Sequence, residues 1–124
     1  MKPQIVRLDF GSFHIYENYA ISYIDEGIDI ILSNTIQIVE LLAEHFENKP
    51  FIYISDRVHS YSIDPTVYTS DFVKALYVVH YFIVVDTMQK ELSIEIEKIF
   101  SNVPISDFRT IDEAKKAAES YFKS

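Results

Sequence analysis

The densest run of reactive residue types in the chain is Asp56-Arg57-Val58-His59-Ser60-Tyr61-Ser62-Ile63-Asp64. An arginine such as Arg57 can grip a carboxylate or phosphate through two parallel N–H donors. His59 is the residue type suited to proton exchange near neutral pH. Asp64-Pro65 reads as a helix start, which would add backbone N–H donors and a positive dipole end. The run follows an apolar strand-like segment, and open α/β sheets bind ligands outside the carboxyl ends of their strands. A ligand site built from Arg57, His59, Tyr61, Asp64, Thr66, Tyr68 and Phe72 is therefore expected. In it a polar end meets Arg57 and the helix start, while an apolar body rests on Tyr68 and Phe72. The competing reading is purely structural: Asp56 and Asp64 cap turns, Arg57 pairs with one of them, and Tyr61 packs over the sheet.

Catalytic chemistry is harder to build from this run. Ser60 or Ser62 with His59 and Asp56 supplies the residue types of a hydrolytic triad. Neighbours in one loop seldom point at each other, however, and no nucleophile elbow or glycine-rich oxyanion turn accompanies them. No catalytic residue is assigned and a non-enzymatic role is expected. His14, His45, His59 and His80 show no paired metal-ligand spacing, and cysteine is absent, so neither a metal nor a cofactor is expected. Two glycines cannot furnish a phosphate loop or a dinucleotide fingerprint.

The elements that must position the loop can be read from periodicity. Residues 5–10, 13–16 and 19–24 alternate as strands of an antiparallel meander, with Gly11-Ser12 and Glu17-Asn18 as the turns. Val6, Leu8 and Phe10 would share one face of the first strand, and Tyr19, Ile21 and Tyr23 one face of the third. Ile31, Thr35, Ile38, Leu42 and Phe46 then recur at helical spacing. Ser33 or Asn34 is a candidate cap for that helix, a start near Asp29 is equally readable, and Glu47-Asn48-Lys49-Pro50 ends it. The apolar runs 51–55 and 78–85 suit strands buried on both faces. Between them a helix from Asp64 would turn Tyr68, Phe72 and Leu76 inward. Asp86-Thr87 opens another helix, with Met88, Leu92, Ile96 and Ile99 as its inner face. Residues 104–108 form a last short strand, and Thr110 with Glu113 makes a capping box for a helix whose inner face is Ile111, Ala114, Ala118 and Tyr121. The sum is one α/β domain over residues 1–124: a mixed sheet with an N-terminal antiparallel meander followed by βα units, helices packed on the sheet.

From about Tyr19 to Phe122 this order resembles the STAS family and its SpoIIAA-like relatives. The resemblance rests on Phe51-Ile52-Tyr53-Ile54-Ser55-Asp56, on Tyr81-Phe82-Ile83-Val84-Val85-Asp86, and on Asp107-Phe108-Arg109-Thr110-Ile111-Asp112-Glu113-Ala114. It implies a regulatory or protein-interaction module. Family members that act as phospho-switches carry Asp-Ser-Ser-Gly at the helix start after the Asp-ended strand. Here that turn is Asp64-Pro65-Thr66-Val67, so the switch position is Pro65, with Thr66 beside it as a weak substitute. Small SpoIIAA-like proteins, some sharing a helix-flap architecture with lipid-binding SEC14-type domains, are the nearer resemblance. That suggests an alternative role as a carrier or sensor for an apolar or lipid-like ligand under the 64–76 helix.

Charge and composition bound the partners. Nineteen acids against eleven bases give a formal charge of −8, which argues against nucleic acid and against anionic membrane surfaces. No stretch approaches the ~20 apolar residues of a membrane span. Met1-Lys2-Pro3-Gln4 leads into strand-like alternation rather than a signal-type apolar block, so a cytoplasmic location is expected. Nine Tyr and nine Phe in 124 residues exceed the obvious needs of the core. They suit either an apolar pocket or a self-association face, so a homodimer or a protein partner is also expected.

Overall fold

A computed structural model describes residues 2–86 and 88–123, and the side chains of all of these except 88–92. Strands β1 (Gln4–Leu8), β2 (Gly11–Ile15) and β3 (Tyr19–Ile24) form the meander. They are followed by β4 (Asp29–Ile30), α1 (Leu32–Phe46), β5 (Phe51–Asp56) and β6 (Ser62–Ile63). A 3-10 helix (Pro65–Thr69), α2 (Asp71–Lys74), β7 (Val78–Val84), α3 (Met88–Phe100), β8 (Ile105–Phe108) and α4 (Ile111–Tyr121) complete the order. The main sheet runs β1-β2-β3-β5-β7-β8, antiparallel across its first three strands and parallel from β3 onward. The architecture is thus the expected α/β mixed sheet.

Pleating assigns the faces. Phe51, Tyr53 and Ser55 of β5 look one way, and Ile52, Ile54 and Asp56 the other. On the first face Ile38, Leu42 and Phe46 of α1 pack with Phe51 and Tyr81, and Phe46 stacks on Phe51 at 4.1 Å. Ile94 of α3 covers Ile83 and Val85 on the same side. The opposite face belongs to α4, whose Ala114 and Ala118 let the helix sit close on Ile21, Ile52 and Ile54. Thr110 Oγ accepts the N–H of Glu113 at 3.2 Å, as the capping box requires.

Tyr121, expected on the inner face of α4, is 48% exposed, and Ile31 rather than Ser33 or Asn34 is the N-cap of α1. Three further local expectations change. The first hairpin turns at Asp9-Phe10 rather than at Gly11-Ser12, because Gly11 pairs with both Leu8 and Ile24 as part of β2. Gly11 is there for space: a Cβ would lie 2.8 Å from the Tyr23 carbonyl oxygen and 3.0 Å from Ile24 Cδ1. Gly11→Ala should therefore cost about 1–3 kcal/mol of stability in chemical denaturation, the range for forced overpacking.

The second change concerns the 64–76 segment, which is not one helix. Asp64 caps it, accepting from the Thr66 N–H at 3.0 Å, but the 3-10 turn ends where Ser70 caps a new one by accepting from Val73 N–H at 3.2 Å. The break shifts the phase, so Val67 is buried while Phe72 is 48% exposed. The third change is α3. Ile96 and Ile99 are 53% and 79% exposed, and the buried positions among the described side chains of α3 are Ile94 and Glu97. The helix is rotated so that a carboxylate faces inward. Thr87 lies outside the described residues, as do the side chains of Met88 and Leu92.

Candidate functional site

The site lies on the sheet face shared with α1, beneath the 64–76 segment. β5 ends at Asp56, and the Arg57 N–H extends the ladder by donating to the Val84 carbonyl at 3.0 Å. That fixes the root of the Arg57 side chain, which is only 7% exposed. The following loop is tied down by a second small sheet, where β4 pairs with β6 in parallel. Gly27, at φ +77°, makes the turn that brings its N–H to the Ser60 carbonyl at 2.8 Å.

A buried arginine needs a carboxylate, and Glu97 supplies it. Arg57 Nη1 and Nη2 donate to Glu97 Oε2 and Oε1 at 2.6 and 2.5 Å in a two-pronged pair. Tyr68 from the overlying 3-10 helix donates to Oε1 at 2.7 Å, and Ser93 donates to Oε2 at 3.1 Å. All four acceptor directions of the carboxylate are thereby used. One side chain joins the end of β5, α3 and the 64–76 segment. Burial works against the Arg57 charge, yet Tyr61 and Glu97 beside it raise its pKa above the ordinary arginine value. Burial first, and then Glu97, push the Tyr68 phenol well up, so it serves as a neutral donor. Tyr68→Phe should cost about 1.5–3 kcal/mol, the range for a hydrogen bond to a charged group. Amide exchange in residues 64–76 should quicken at least tenfold while the exchange of β5 stays unchanged.

Beside this junction is a cavity of about 80 Å³. Its floor is Tyr53, Ser55 and Tyr81 of the sheet, α1 contributes Ile38 and Leu42, and Val67, Tyr68, Val73 and Leu76 form the roof. Polar groups gather at one end. Ser55 Oγ and the Tyr61 hydroxyl share a 2.8 Å hydrogen bond, and Arg57 Nε donates to Ser55 Oγ at 3.3 Å. The Arg57 guanidinium also lies 5.6 Å from the centre of the Tyr61 ring. Tyr53 lines the floor, with its hydroxyl beside Ser22 Oγ. Ser22 Oγ sits nearby, buried and without a partner of normal geometry. Burial pushes the Tyr53 phenol above the ordinary tyrosine range and that of Tyr81 up to about 12, so both rings stay neutral.

Of the seven expected ligand residues, Arg57, Tyr61 and Tyr68 meet at this cavity. The other four lie elsewhere. His59 is half exposed with Glu26 at 4.0 Å, Asp64 and Thr66 hydrogen-bond to each other at 2.7 Å, and Phe72 points outward. Asp64 already occupies the first free N–H of the 3-10 turn, so no anion site opens there. Arg57 pairs with Glu97, a residue 40 positions away. Ser62 donates to Asp29 and Ser60 N–H to Glu26, so both serve the loop's own architecture. Among the described residues no three His, Asp or Glu side chains gather as metal ligands, and no helix is long and apolar enough to cross a membrane.

Glu97 is the residue that the sequence concealed, since nothing in Glu95-Ile96-Glu97 marks one acid as internal. The available signal was Arg57 itself: an arginine directly following a strand buried on both faces is a candidate for a buried ion pair. Comparison with protein-family models, with curated proteins and with solved structures gives no match.

Proposed function

We propose that the protein is a non-catalytic binding domain that holds a small, largely apolar molecule beneath the 64–76 segment. The observation that carries this is the cavity itself, apolar on its walls and polar at one end, under a roof made of two short helices. Such a roof is easily displaced. Val67 is its only buried residue, and segments with few buried apolar contacts open at low free-energy cost. The Tyr68–Glu97 hydrogen bond acts as its latch. A cavity of about 80 Å³ is roughly half the size of an engineered apolar cavity that admits benzene. A compact ligand fits with little movement, whereas an acyl chain requires the roof to lift.

The order of a meander followed by βα units supports a SpoIIAA-like reading of the chain, and Pro65 at the switch position supports ligand occupancy over phosphorylation as its signal. The experiment is native mass spectrometry of the protein purified from its own cell, with denaturing extraction of whatever is retained. A co-purifying small organic molecule, released when Leu76→Trp fills the cavity, is the expected result. A stable complex with another protein, formed equally well by Leu76→Trp, would instead assign the domain to protein–protein regulation.

A further inference from the structure

The chemical class of the ligand follows from how the polar end of the cavity is wired, given the binding role proposed above. Among the described residues Arg57 is the sole charged side chain lining the cavity, and it is the one that would attract a carboxylate. Its two terminal nitrogens, however, are spent on Glu97, whose charge offsets that of the guanidinium. An entering carboxylate would have to shed its water without gaining a free cation, and would lie close to the Glu97 anion. Burial of an uncompensated charge is far costlier than burial of a hydroxyl.

What the end of the cavity does offer is hydrogen bonding from neutral groups. The Tyr53 hydroxyl, which has Ser22 Oγ as a neighbour, and the Tyr61 hydroxyl, which uses one of its bonding directions on Ser55, both belong to residues that line it. We infer that the cavity is specific for an uncharged amphipathic molecule, a compact hydrocarbon body bearing one hydroxyl or carbonyl group, and that the Arg57–Glu97 pair is the element that rejects acids. The polar group of the ligand meets Tyr53 and Tyr61, and its body lies between Tyr81 and Val73. The buried pair thus sets specificity by cancelling the one charge that would otherwise select an anion.

A matched series tests this: cyclopentanol, cyclopentane and cyclopentanecarboxylate, titrated while the methyl resonances of Val67 and Val73 are followed. Cyclopentanol should bind about tenfold more tightly than cyclopentane, and cyclopentanecarboxylate should produce no saturable shift. Glu97→Gln keeps the shape of the junction and removes its negative charge, so it should admit cyclopentanecarboxylate with at least a tenfold gain over the unmodified protein. If the unmodified protein binds the carboxylate as well as the alcohol, the neutral class is wrong while the cavity remains a binding site. Equal affinity for cyclopentane and cyclopentanol would show that the hydroxyl groups do not recognise the ligand, which also overturns the inference. Failure of all three probes to shift the roof methyls would remove the binding role itself, and this inference with it. The series on the unmodified protein decides between these results even if Glu97→Gln does not fold.

Discussion

Glu97→Leu should be among the most damaging single changes in this protein, lowering its stability by about 3–5 kcal/mol, the range for breaking a buried ion pair. The reason is less the loss of attraction than what is left behind. Arg57 is 7% exposed and its guanidinium cannot give up its proton under any ordinary condition. Removing Glu97 takes away the carboxylate that holds both terminal nitrogens of a buried positive charge beside Tyr61 and Tyr68. The double change Arg57→Met with Glu97→Leu should recover most of the loss, because two well-packed apolar side chains replace two desolvated charges. Urea denaturation of the two single variants and the double variant gives the coupling directly. A Glu97→Leu variant that loses less than about 1 kcal/mol would mean that Arg57 reaches solvent by another route, and the junction would not organise the site.

Phe51→Ala should cost a similar amount, about 3–5 kcal/mol, as large-to-small changes at fully buried aromatics do. Phe51 is 1% exposed and stacks face to face on Phe46 with 2° between the ring planes. It therefore holds the end of α1 against the start of β5, and with it the wall formed by Ile38 and Leu42. The Phe51→Ala protein should also bind cyclopentanol less selectively, since the wall can relax into the space left by the ring. Calorimetric unfolding measures the first effect. Retention of the full melting temperature would show that α1 is held by other contacts.

How much of this was legible from the residues depends on which physical signal each element carries. Long periodic segments were. The Ile31-to-Phe46 stripe became α1, with Thr35, Ile38, Leu42 and Phe46 buried as spaced, and the apolar runs after Pro50 and Tyr77 became the central parallel strands. The capping box at Thr110 was equally plain, because a cap is a local bond that the sequence states outright. Turn placement was not. Gly11 suggested conformational freedom, while the fold needs it for a close approach to Tyr23, which depends on the register between β2 and β3.

The site was half legible for the same reason. Arg57, Tyr61 and Tyr68 lie within 12 positions of one another, and the strand-end argument brings them together. Glu97 sits 40 positions away from Arg57 on a helix whose apolar residues fit two different inward faces. Periodicity favoured the face with Ile96 and Ile99. Charge pairing won, because leaving Arg57 alone in the interior costs more than exposing two isoleucines. Phe72 was misplaced by the break at Ser70, where a second cap restarts the helix out of phase.

The most direct test of the account is an NMR structure of the protein with cyclopentanol, based on intermolecular nuclear Overhauser effects. Contacts are expected from the ring protons to Val67 and Val73 in the roof and to Tyr81 on the floor, with the hydroxyl-bearing carbon nearest Tyr53 and Tyr61. Contacts only to exposed side chains such as Phe72, Ile96 or Ile99, with the roof resonances unmoved, would contradict it.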